Sequence, residues 1–128
     1  MERHFSGLER ATWRGVRVRA ALCIVLAAIG CRQPVRSALE ATLRVDLRTM
    51  RECIVQFRAN VHRCPLTLPE LVRARYLVRI PVDPLTGRSD TWVEVKGSLS
   101  AGPCAGRLLD VHSGASGSGS DATPYSTW

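Results

Sequence analysis

Aromatic side chains are scarce in this sequence, at 5% of 128 residues. Its core must therefore be mostly aliphatic, and nothing advertises an aromatic-lined substrate cleft. Long apolar runs are missing too. The longest, residues 20–29, would span only ~15 Å as a helix at ~1.5 Å per residue, about half of a bilayer's hydrocarbon core. No C-x-x-C pair occurs, and Cys53, Cys64 and Cys104 lack metal-ligand spacing. His4, His62 and His112 fall in three unrelated settings, and only His62 has a cysteine, Cys64, close by as a conceivable thiol partner. Together these absences argue against an enzyme. The length allows one small domain and leaves little for a second.

Positive charge is abundant, with a formal net charge of +7. Its distribution weakens a nucleic-acid reading. Residues 1–30 hold Arg3, Arg10, Arg14, Arg17 and Arg19 against Glu2 and Glu9, so they carry +3 of the total and the remainder carries +4. These arginines precede the ten-residue apolar run and then Gly30 and Cys31, the layout of a basic n-region and a short h-region. The ending Ala28-Ile29-Gly30-Cys31 resembles a bacterial lipobox, with Ala28 where Leu or Val is usual. Cys31 is the expected lipidation site. A degenerate membrane-spanning anchor is the alternative, so residues 1–30 are read as a signal peptide or an anchor and residues 31–128 as the domain.

Beyond Cys31 the periodicity turns helical. Leu39, Leu43, Leu47, Met50, Ile54, Phe57 and Val61 recur at steps of three and four, which predicts a long amphipathic helix over residues 35–60. Arg44, Arg48, Arg51 and Arg58, interleaved with Asp46 and Glu52, read as its solvated face, with Glu40 and Arg44 as a surface pair. Thr67-Leu68-Pro69-Glu70 has the form of a capping box and predicts a short helix through Ala74, with Leu68, Leu71 and Val72 inward. Asp83-Pro84-Leu85-Thr86-Gly87 reads as a tight turn. Residues 91–95 alternate like a strand, and residues 106–111 supply a partner. The expected fold is α+β, a long N-terminal helix packed on a small antiparallel sheet with a short second helix; residues 65–128 supply the sheet and a closing loop.

These residues carry a resemblance. Asp46-Leu47-Arg48, Ile54, Phe57, Pro65, Leu68, Glu70-Leu71-Val72, Tyr76-Leu77, Ile80-Pro81, Asp83-Pro84, Thr86-Gly87 and Trp92 resemble the globular region of the protein G family, the major pseudopilins of bacterial type II secretion. The ending Asp110 to Ala115, with Ser120-Asp121, Pro124-Tyr125-Ser126 and Trp128, is similar to that family's closing loop. The likeness spans residues 43–128. It fails at the N-terminus, where Gly15 is followed by Val16-Arg17-Val18-Arg19 rather than the family's processing signal, and no acidic residue lies between Glu9 and Glu40. An arginine within lipid is costly, about 2.5–3.5 kcal/mol on insertion scales.

The resemblance implies a pilin-like fold and a structural or accessory role in a type II secretion or pilus-like machine, through contacts with other pseudopilin or secretion-system subunits. An autonomous envelope lipoprotein that reuses the fold as a binding module is the alternative. Either is expected on the periplasm-facing side of a bacterial envelope, tethered through its N-terminus, with no nucleic-acid partner or small-molecule substrate. The family's closing loop wraps calcium, which carries over to Asp121 as a carboxylate ligand and to Ser113 and Ser126 as neutral oxygens, with Ser116 where relatives often place an acid. In an oxidising periplasm Cys64 and Cys104 are the candidate disulfide, leaving Cys53 on the helix.

Overall fold

The computed structural model describes residues 32–128, with side chains from residue 35 onward. The segment 1–30 and the expected lipidation at Cys31 lie outside the described residues. Ser37–Trp128 form one compact unit.

Helix α1, Arg32–Val61, runs 30 residues, ~45 Å at ~1.5 Å per residue. Pro34 stands in its first turn, where a missing N–H costs nothing. Leu43, Leu47, Met50, Ile54 and Phe57 are buried, and Cys53 joins them. The two ends of the anticipated stripe are not core: Leu39 is 36% exposed and Val61 40%. Among the described residues no helix is long and apolar enough to cross a membrane.

Helix α2, Leu68–Arg73, begins after Thr67, but the capping box does not form. Thr67 makes no side-chain cap. Glu70 instead accepts from the Leu66 amide and, at 2.7 Å, from Arg63, while the Leu68 amide is capped from outside the helix by Glu94 at 2.7 Å. A strand carboxylate thus takes the place of the threonine hydroxyl and ties α2 to the sheet. Leu68 and Leu71 are buried, Val72 packs against the core, and Arg75 adopts a left-handed φ of 63° as the chain leaves α2.

The turn at Asp83 forms as an Asx turn: Asp83 Oδ1 accepts from the Leu85 amide at 2.9 Å and its carbonyl from Gly87 at 2.8 Å. Gly87 closes it at φ 71°. Strands β1, Val93–Lys96, and β2, Leu108–His112, pair antiparallel with Val93 opposite His112 and Val95 opposite Asp110. The register slips between Val95 and Lys96, so Leu109 is the extra residue. That bulge lets Leu108 and Val111, three apart, both reach the core, which strict alternation forbids. The strand at 91–95 starts two residues later than anticipated because Trp92 turns inward and donates Nε1 to the Pro81 carbonyl at 2.8 Å.

The architecture is the expected α+β arrangement of a long helix, a short helix and a small antiparallel sheet. Phe57 meets Tyr76 edge-on at 5.3 Å. Cys64 and Cys104 are joined by a disulfide with a Cα–Cα distance of 4.8 Å, pinning the chain after α1 to the loop between the strands. Cys53 is left as a buried free thiol that donates to the Tyr76 carbonyl.

Candidate functional site

Residues 113–128 fold back onto α1 rather than trailing as a Gly/Ser linker. The loop is internally bonded, with the Gly119 amide to the Thr123 carbonyl at 2.8 Å and the Tyr125 amide to the Gly117 carbonyl at 3.1 Å. Gly119 is required there, since a Cβ would fall 2.1 Å from a ring carbon of Trp128. Three polar side chains of α1 receive this segment: Glu40, Arg44 and Arg51.

Glu40 does not lie on the solvated face. It is 1% exposed. Its carboxylate accepts the Tyr125 hydroxyl at 2.8 Å, the Ser120 hydroxyl at 2.7 Å and the Ser120 amide at 3.1 Å. A carboxylate is tolerable at this depth because several donors converge on it. The position was readable. Stepping back from Phe57, Ile54, Met50, Leu47 and Leu43 by alternating threes and fours reaches residue 40, not Leu39.

Arg44 stacks on the closing segment. Its guanidinium carbon lies 3.9 Å from the Trp128 ring centroid, and Nη2 is 3.6 Å from Asp121 Oδ2. Trp128 in turn packs edge-on against Tyr125 at 5.1 Å and donates Nε1 to the Thr123 hydroxyl at 2.6 Å. Arg51, anticipated as solvated, makes three side-chain hydrogen bonds to the residues that follow the helix. Its Nε donates to Asp110 Oδ1 at 2.7 Å, and Nη2 to the backbone oxygens of Val111 at 3.0 Å and Trp128 at 2.6 Å. His112 Nδ1 lies 2.6 Å from the same Trp128 oxygen. These four helix arginines therefore divide: Arg44, itself exposed, and Arg51 clasp the closing segment, while Arg48 and Arg58 are exposed and do not.

Of the three residues expected to share a calcium ion, Ser113 and Asp121 are hydrogen-bonded within the protein and Ser126 is exposed. Ser113 is fully buried, donates to Asp83 Oδ2 at 2.6 Å and accepts from the Ala115 amide at 3.1 Å. Ser126 is exposed in the single 3-10 turn Tyr125–Thr127. Asp121 Oδ1 accepts from the Thr123 hydroxyl at 2.6 Å and its amide at 3.0 Å. Those bonds, and then the charge of Arg44, hold its carboxyl below the ordinary range. Asp121 Oδ2, the oxygen not taken by Thr123, stands 3.6 Å from Arg44 Nη2, so a hard dication at this carboxylate would compete with a guanidinium. Among the described residues no group of three or more His, Cys, Asp or Glu side chains could hold a metal.

The remaining titratable groups serve packing. Asp83 is fully buried beneath its Asx turn. Burial, then the charge of Asp83, raises the pKa of Asp46. Burial likewise raises that of the Cys53 thiol. His62 is exposed at φ 59°, and its neighbour Cys64 has no free thiol, so the two do not form a nucleophilic pair. The class this geometry defines is a small α+β domain whose long helix is clasped by its own last residues. No family model, curated protein or solved structure matches the chain.

Proposed function

We propose that this protein is a structural or accessory pseudopilin-like component of a bacterial secretion or pilus-like machine, working through protein contacts and tethered to the envelope by its N-terminal segment. One observation carries the reading: residues 113–128, which include the Ser120-Asp121 to Trp128 block of the sequence resemblance, are folded onto the long helix instead of hanging free. A helix of 30 residues whose positions 35–39 are all exposed also supports it, because those turns present Val35 and Leu39 to a neighbouring subunit.

Photo-crosslinking from Val35 and Val45 in the native envelope tests the contacts. The expected adducts are secretion or pilus-like subunits, and deleting the gene should impair export of their cargo. Mass spectrometry of the mature N-terminus tests the tether, with a lipid on Cys31 and loss of processing in Cys31→Ala as the expected result. A lipidated protein with no such adducts and normal export would instead make it an autonomous envelope lipoprotein.

A further inference from the structure

Between α1 and the closing segment lies a cavity of about 300 Å³. Arg44, Arg48 and Arg51 line it from the helix, with Asp121 and Trp128 opposite. Three guanidiniums at positions i, i+4 and i+7 of one helix face repel one another, and the interleaved acids Asp46 and Glu52 do not line this cavity. Arg51 is neutralised by Asp110 at 2.7 Å, and Arg44 stands at a longer 3.6 Å from Asp121. The Arg48 side chain, between them, makes no hydrogen bond or ion pair among the described residues. The cavity thus holds one uncommitted guanidinium, a second that lies over the Trp128 ring with only a long ion pair to Asp121, and a single carboxylate whose Oδ1 is occupied by Thr123.

We propose that this cavity binds a phosphate ester, with Arg48 as the principal anion ligand and Arg44 as the second. Guanidiniums rising from successive turns reach different oxygens of a tetrahedral oxyanion, whereas a planar carboxylate is satisfied by one fork. The volume exceeds that of a bare phosphate, and Leu47 and the Trp128 ring offer apolar walls to an organic substituent. The site owes nothing to the secretion reading. It needs only the clasp of the closing segment, which supplies Trp128.

The full chain is melted in phosphate or in chloride at matched ionic strength, as wild type, Arg48→Gln and Arg58→Gln. Both arginines are exposed, so neither change threatens folding. Phosphate should raise the wild-type melting temperature with saturation, because it binds only the native state. Arg48→Gln should weaken the apparent affinity by about tenfold or more, the loss of one charge-assisted bond, while Arg58→Gln leaves it unchanged. Equal melting in both salts, or equal loss in the two variants, overturns the proposal. A second arm compares sedimentation with phosphatidylcholine vesicles with and without phosphatidylglycerol. Arg48-dependent binding to the anionic vesicles assigns the phosphate to a lipid headgroup, and phosphate binding without it assigns a soluble ester.

Discussion

Arg51 and Arg58 are alike in sequence, each directly after a buried apolar residue of one helix, Met50 and Phe57, yet of the two only Arg51 crosses to another part of the fold. Arg51→Ala removes a carboxylate pair and two bonds to backbone oxygens, and should cost about 1–2 kcal/mol after allowance for its partial exposure. Arg58→Ala should stay within about 0.5 kcal/mol, as exposed sites usually do. Urea denaturation of the two variants measures the difference. Glu70 gives a second test at this scale. The hydrogen bond from Arg63, then that from the Leu66 amide, lowers its pKa against an opposing cost of burial. Because the folded value lies below the ordinary 4.5, Glu70 contributes stability that is complete above that pH and is lost as pH falls through the lowered value. Glu70→Gln should therefore flatten the acid limb of a stability–pH curve while lowering the neutral plateau. Asp46 runs the other way: its raised pKa penalises the fold at neutral pH, so Asp46→Asn should stabilise there and lose its advantage on acidification.

At the scale of elements, α1 earns its stability from one stripe, and Phe57 is its most consequential member. Its ring is 2% exposed, meets Tyr76 and carries the Arg63 guanidinium 5.2 Å from its centroid. Phe57→Ala should cost about 3–5 kcal/mol in chemical denaturation, and Val55→Ala, on the exposed side, a small fraction of that. This much was legible beforehand, since periodicity reports burial wherever a helix has one apolar face. The two helices, the Asp83 turn and both strands were likewise readable to within a few residues. What escaped was set by partners distant in sequence. The cap of α2 comes from Glu94, 26 residues away, and no local motif encodes it. The bulge at Leu109 breaks the alternation on which strand reading depends. Arg51 reads as solvent-facing because its acceptors lie 59 to 77 residues downstream. Glu40 alone left a local trace, in the alternation of threes and fours.

At the largest scale, the unit Ser37–Trp128 is closed by contacts that join its early and late residues. Glu40 meets Tyr125 across 85 residues and Ser120 across 80, and the Cys64–Cys104 bridge closes a separation of 40 between them. Loop closure over such spans costs entropy that only the clasp itself returns, so the clasp should behave as one cooperative unit. Glu40→Gln keeps the size of the side chain but removes the charge that several donors share. Tyr125→Phe removes one of those donors and keeps the ring on Trp128. If the network is shared, the double variant should lose less than the two single losses combined, with a coupling of about 0.5–3 kcal/mol. Purely additive losses would mean that Tyr125 and Glu40 act independently. Removing residues 125–128 should go further: it strips Glu40, Arg44 and Arg51 of partners together and uncovers the helix face they guard, so the domain should melt well below either single variant. Millimolar calcium should leave the melting temperature of the intact chain unchanged, because Arg44 already supplies the positive charge at Asp121. A calcium-dependent rise that disappears in Asp121→Ala would show instead that the guanidinium yields its place to a metal.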